Sequence, residues 1–422
     1  MRTATAAVES TTDTAGVAPR ARLALAALCI TVTTSYGVLF YAFPVLAPAI
    51  SAAEGWSVVH VTAAFSASQV VVGLGGAVVG RWLERIGPRL IMTLGAIVAV
   101  PATVGIALAP DLLWFTVAWL VAGAAMATLF YPPAFAAVTR WFGERRVRAL
   151  TILTLVAGLA STIFAPLAAA LQDALDWRGA YLVLAAVLAV VVIPLHWLAL
   201  TPPWQDRTPA QAQDQDQDAE KPNAAMAIAP IVRGRAFLAV TAALTLGAFG
   251  VYAVVVNLVP LLETRGFDST TAAWALGIGG IGQVLGRLGY APLERRTGTQ
   301  SRLVLILAVC ALSTALLALP ASVAVVMALA LLAGMARGIF TLLQATAISD
   351  RWGEARYPTL NGIMHTPLML AIALSPWAGA ALAGALGGYG VLFGLLAAVG
   401  GVGALAALFS RPPTTAPIRA GS

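Results

Sequence analysis

The chain is predicted to fold as an all-α membrane protein, with twelve transmembrane helices in two bundles of six. Three observations predict it. Hydrophobic residues make up 60% of the 422 positions and charged residues only 10%, where a soluble domain carries about 25% charged residues. The apolar residues gather into runs of about 20 or more, the length that crosses a bilayer. One polar tract splits these runs into six before it and six after it. A soluble fold of this length has too little interior to hide that much apolar surface, so lipid is part of the solvent.

Residues 1–21 are polar, rich in Thr and Ala, and read as a tail. Span 1 (22–50) is too long for a signal-peptide core and has no clear cleavage site, so it reads as uncleaved. Span 2 (57–82) closes on Arg81 and Arg85, and span 3 (88–109) follows at once. Span 4 (111–140) opens at Asp111 and closes on Arg140, with Arg145, Arg146 and Arg148 beyond. Spans 5 (147–172) and 6 (178–200) are separated by Asp173 and Asp176. Residues 201–232 contain TPPWQDRTPAQAQDQDQDAEKPN, a Pro, Gln and Asp-rich linker that cannot form a core. Span 7 (233–262) ends before Glu263, and span 8 (269–292) begins after Asp268 and is followed by Arg295 and Arg296. Spans 9 (302–319), 10 (321–349), 11 (357–386) and 12 (388–409) follow, before a tail at 410–422. The bundles are therefore 22–200 and 233–409.

Arginines follow the even spans, with Arg351 and Arg356 after span 10 and Arg411 and Arg419 in the tail. The opposite loops hold mainly Glu54, Asp111, Asp173, Asp176, Glu263 and Asp268, with Arg178 and Arg265. The positive-inside rule puts both termini and the linker in the cytoplasm of a multi-pass cell-membrane protein. The net charge of +7 thus belongs to a membrane face, not to nucleic-acid binding. Cys29 and Cys310 sit in apolar runs and indicate neither disulfide nor metal. His60, His196 and His365 are far apart, and no Ser/His/Asp set or cofactor loop accompanies them, which argues against an enzyme or a cofactor. The glycines at 277–282 lack the βαβ unit of a dinucleotide site.

By these edges no Asp or Glu lies deep in the membrane, but Arg287 in span 8 and Arg337 in span 10 do. A guanidinium cannot deprotonate to escape burial, and an intramembrane charge costs several kcal/mol (roughly) unless paired or wet. A substrate carboxylate, held bidentately, is the natural partner. For Arg287 the other reading is snorkelling to the near interface. For Arg337 it is pairing with helix carbonyls or a remote acid. Gln283 lies one turn before Arg287 on the same face. Glycine clusters at 73–76, 277–282 and 400–403, with Pro132, Pro133, Pro166 and Pro376, suit close-packed, bendable helices.

The turn after span 2 reads Gly80-Arg-Trp-Leu-Glu84-Arg85-Ile-Gly87-Pro-Arg89. With the six-plus-six outline it resembles the G-x-x-x-D-R-x-G-R loop of the major facilitator superfamily, where an acid and arginines latch one conformation. A degraded second copy retains Arg296 and Gly298, with Arg295 where the acid would be. Tyr41-Ala-Phe-Pro44, Phe130-Tyr131-Pro-Pro-Ala134, Arg140-Trp-Phe-Gly-Glu-Arg-Arg146 and Asp176-Trp-Arg-Gly-Ala-Tyr181 narrow the resemblance to the monocarboxylate transporter and oxalate:formate antiporter group. That group has a substrate-binding Arg on span 8, eight residues before the loop acid, the place Arg287 holds relative to Arg295.

Departures are informative. Gln283 stands where animal members have a proton-coupling Asp, and Val45 where they have Lys. The Lys that oxalate carriers use on span 11 is missing from Asn361-Gly-Ile-Met-His365, which favours one carboxylate over two. Tyr131 falls in a pocket-lining region of the group, Asn257 where bacterial members often have His, and Tyr36 and Tyr41 lie in span 1; helix packing is the alternative for each. His365 is the His best placed for a proton role. The resemblance implies a secondary transporter moving a small organic anion, a monocarboxylate, by alternating access, with protons or a counter-anion as coupling partner; a monomer is the default expectation. An exporter of hydrophobic compounds and a non-transporting sensor are the rival readings.

Overall fold

A computed structural model describes residues 2–204, 228–353 and 357–411. Among these, every regular element is helical. Most of the linker (205–227) and most of both expected tails lie outside the residues whose side chains are described. Ten helices are long and apolar enough to cross a membrane. One, Arg146–Ala199, has 54 residues, on the order of 80 Å if straight and far more than one bilayer core. It breaks at Asp176, whose φ of 73° and ψ of 177° are not helical. Ser269–Arg296 is a further 28-residue helix whose glycines and polar residues lower its hydropathy.

In chain order the helices are α1 (Pro19–Glu54), α2 (Val58–Ile86), α3 (Pro88–Ala107), α4 (Leu112–Phe142), α5 (146–175) and α6 (177–199). The second set is α7 (Arg235–Glu263), α8 (Ser269–Arg296), α9 (Thr299–Leu317), α10 (Val323–Thr346), α11 (Tyr357–Leu386) and α12 (Tyr389–Ala407). Side-chain caps start several of them: Ser57 accepts from His60 N, Asp111 from Trp114 N and Asp268 from Thr271 N. α8 runs past the expected edge at 292 because Arg295 and Arg296 fall in its last turn, where cations suit the helix dipole.

α1–α6 pack on one another, as do α7–α12; between the two sets α2 meets α11, α5 meets α8, and the second half of α1 meets α7. The first half has an aromatic core, with Phe43 stacked on Phe65 at 4.1 Å and both edged by Trp119. The second half is clasped by glycine. A methyl on Gly334 of α10 would strike the Gly279 carbonyl of α8, and one on Gly338 would strike that of Gln283. Gly282 and Gly286 of α8 touch the Leu331 and Met335 carbonyls in return, so α8 and α10 lie backbone to backbone. Of the other glycine clusters, Gly75 approaches Ala127 and Gly400 approaches Ala311, whereas Gly73 and Gly76 face open space.

On the side away from the termini, Arg178 pairs with Glu54 at 2.9 Å and donates to the Ala107 and Ala109 carbonyls. There Thr270 Oγ1 donates to Asp173 at 3.1 Å, joining the halves. Deeper, Thr162 Oγ1 donates to Gly277 O at 2.8 Å and Trp377 N to Ser66 Oγ at 3.0 Å. The contacts between halves thus run from that side toward the centre.

Candidate functional site

Two local breaks aim aromatic rings at the interface between the halves. Pro132 and Pro133 lack the N–H groups that would bond the carbonyls of Thr128 and Leu129, and they are suited to the first turn of a new helix, where no such bond is needed. α4 accordingly breaks at Phe130 (ψ −170°) and restarts at Tyr131. In α1, residues Gly37–Tyr41 form a π-helical turn, with the Phe164 ring seated on Gly37 where any side chain would clash. The wide turn brings Tyr36 and Tyr41, five residues apart, toward one face; in a regular helix they would diverge by about 140°. Tyr36 stacks on Phe130 at 3.9 Å and lies 4.9 Å from Tyr131. Tyr36, Tyr41, Tyr131 and Tyr252 of α7 are close electrostatic neighbours.

The cations reach this cluster from the glycine-clasped pair. Arg287 of α8 is half-buried; its guanidinium faces the Tyr131 hydroxyl and Nη1 donates to the Thr154 carbonyl of α5, in the other half. Its Nε is buried without a partner. Thr154 O is also the acceptor for Gly158 N at 3.0 Å. A methyl on Gly158 would come within 3.2 Å of Nη1, so glycine there makes room for the crossing. Arg337 of α10 is only 6% exposed. Its Nη2 lies 3.4 Å from Gln283 Oε1 and 3.5 Å from Gly279 O, and its Nε has no partner. Among the described residues no carboxylate pairs with either arginine.

The structure therefore brings together Tyr36, Tyr41, Tyr131, Gln283, Arg287 and Arg337. Asn257 is 1% exposed, donates to Ala253 O at 2.9 Å and fills the space beside Gly379, which is packing between α7 and α11. His365 bonds the Asn361 carbonyl of its own helix at 3.1 Å. Sequence reasoning missed Tyr252, a tyrosine five residues before the Asn257 it singled out. It also missed Thr154, whose backbone oxygen carries no side-chain signal.

The loop motif is held from an unforeseen quarter. Gly87 has φ of 86°, and the Trp204 ring rests on it. Trp204 Nε1 donates to Glu84 O at 3.0 Å, and the Arg140 guanidinium lies 4.2 Å over the ring. Arg89 donates to Trp197 O at 2.8 Å and stacks 4.3 Å over that indole. Arg85 lies in the last turn of α2, and Gly80 has open space around it. In the second half Arg302, 3% exposed, pairs with Asp350 and, at 3.6 Å, with Glu294. Glu294 thus provides an acid one residue before Arg295, while Arg296 is exposed at the end of α8. Beside that set, Arg351 donates to Thr299 O at 3.0 Å, and burial lowers its pKa to about 10.

Known proteins share this architecture. The model of the Major Facilitator Superfamily matches residues 28–332. Human monocarboxylate transporter 11 is 32% identical over 156 residues, 35% of this chain and 32% of that protein. The mouse protein of the same name is 33% identical over 125 residues, 29% of this chain and 27% of its own length. The chain thus matches only about a third of the length of these curated relatives. A bacterial homologue of the human lysosomal transporter Spinster, solved inward-facing and unoccupied, superposes with a TM-score of 0.66 at 17% identity, over 93% of this chain and 95% of that one. At that identity the likeness concerns the fold.

Proposed function

This chain belongs to the Major Facilitator Superfamily, a family of multi-pass membrane transporters, and on that premise we propose that it moves a small organic anion, a monocarboxylate, by alternating access between its two halves. The reading rests most on Arg287. It is a permanent cation at the seam of the halves, ringed by tyrosines, with a neutral carbonyl as its bonded partner. A carboxylate is a stronger partner than a carbonyl, because it adds a full opposite charge and a second, parallel hydrogen bond in the bidentate geometry. Substrate would therefore draw Arg287 off Thr154 and free the seam between α5 and α8. Tyr131 and Gln283 would add hydrogen bonds, Tyr36, Tyr41 and Tyr252 the apolar walls, and Arg337 positive potential from behind. Similarity to proteins named monocarboxylate transporters supports the same substrate class.

With its arginine-rich ends in the cytoplasm, the termini side would be the inner face, and the joined outer halves would make this an inward-facing arrangement. Glu84, Arg85 and Arg89 would latch the first half, with protons or a counter-anion coupled to the cycle. The test is uptake of radiolabelled lactate or pyruvate into proteoliposomes. Arg287→Ala is expected to abolish uptake while the protein still inserts and elutes as wild type; undiminished uptake would reject the assignment. The stacked Tyr36 and Phe130 rings favour one second reading, export of a hydrophobic compound, in which the same variant keeps full transport.

A further inference from the structure

We propose that a cavity inside the second half, beside Arg337, binds a small inorganic anion of halide size. The cavity is distinct from the tyrosine cluster, although Arg337 borders both, and the inference does not depend on the substrate reading. It lies among α7, α8, α9 and α10 and has a volume of about 30 Å³, roughly the share of one water molecule in the liquid. A chloride ion fits such a space.

The chemistry of the wall selects an anion. Its polar members are Arg337, Ser313, Thr314 and Cys310, and the remaining lining is Val, Leu, Ala and Gly. No carboxylate lines it, so a cation finds no counter-charge. Arg337 is 94% enclosed by the 6% exposure already given, and its Nε–H is unpartnered. Its two hydrogen bonds, at 3.4 and 3.5 Å, are far longer than the 2.7–2.9 Å (roughly) of charge-assisted bonds. A buried guanidinium served only by such contacts is under-neutralised. Ser313 and Thr314 both donate to Cys310 O, at 3.0 and 2.8 Å, and hydroxyl protons can rotate toward a new acceptor. A halide there would receive an Arg337 N–H and one or both hydroxyls. It would also hold Arg337 against Gln283 and Gly279, at the clasp between α8 and α10.

The test is the thermal midpoint of the purified full chain in sodium chloride against sodium gluconate at equal ionic strength. Chloride is expected to raise the midpoint saturably. Thr314→Val is expected to raise the half-saturating concentration about tenfold, for one lost hydrogen bond to an ion, and Arg337→Gln to remove the effect. Arg287→Gln, which alters the proposed transport site, is expected to keep it, so failure here and failure of the substrate reading are distinguishable. Should Arg337→Gln not fold, bromide-soaked crystals decide, through an anomalous peak beside Arg337. Equal midpoints in the two salts, a chloride effect indifferent to Thr314→Val, or a bromide map with no peak in the cavity would each overturn the proposal.

Discussion

The turn between α2 and α3 and the turn between α8 and α9 occupy matching places in the two halves, yet they restrain arginine by different chemistry. In the first half Arg89 and Arg140 lie on the faces of Trp197 and Trp204, and helix-end carbonyls take the hydrogen bonds. In the second half Arg302 is sunk between Asp350 and Glu294. A ring face holds a guanidinium with little directional demand. A buried ion pair is all or none, since removing one member strands the other. The contrast continues inward: the second half supplies the cations Arg287 and Arg337, and the first supplies rings and a backbone oxygen. At these turns and at the seam, buried charge is thus concentrated in the second half and stacked rings in the first.

Arg302→Ala tests that contrast with the largest expected effect. It takes the paired cation from Asp350, whose side chain is 18% exposed and still interacts with Arg351, at a cost of about 3 kcal/mol, the low end for a broken buried pair. Thermal unfolding in detergent measures it. Arg89→Ala, at an exposed site, is expected to cost about 0.5–1 kcal/mol. Equal losses for the two variants would erase the distinction between the turns.

Next in size is Gly158→Val in α5. The added side chain enters the gap through which Arg287 reaches Thr154, where even a methyl group meets both partners at 3.1–3.2 Å. Overpacking of this kind costs about 1–3 kcal/mol, and transport is expected to fall about two- to tenfold if about half of that is lost from the transport cycle. Gly76→Val, in the same half but facing open space, is the control and is expected to leave uptake unchanged. A tolerant Gly158 would show that the crossing arginine is not a coupling element.

Features carried by composition and side-chain type were legible in the sequence. The helical order, the glycine approach of α8 and the isolation of Arg287 and Arg337 from acids follow from apolar runs and residue identity. Backbone decisions were hidden. The π-helical turn at Gly37–Tyr41 depends on a Phe164 ring more than a hundred positions away, and the role of Thr154 belongs to a carbonyl that every residue has. Arg302, placed by sequence at the start of span 9, gave no sign of burial, because its acids come from α8 and from the short helical turn Ser349–Trp352 after α10. Asn257 and His365, polar residues in apolar helices, invite a functional reading from sequence; in the structure each bonds a carbonyl four residues back.

The smallest expected effect sharpens the aromatic side of the comparison. Trp204 is the first linker residue with a built contact set: it covers Gly87, lies beneath Arg140 and donates to Glu84 O. Trp204→Ala removes a stacking partner worth about 0.5–1 kcal/mol and one exposed hydrogen bond, so the thermal midpoint is expected to fall by only a few degrees. Trp204→Phe keeps a ring under Arg140 and loses only the Nε1–H bond, so it is expected to recover most of that fall. If ring stacking is what holds the first half's turn, Phe must outperform Leu, which fills similar space without a π face. Equal midpoints for Phe and Leu would mean that Trp204 acts by apolar cover alone, and that the first half's turn owes its restraint to the carbonyl hydrogen bonds.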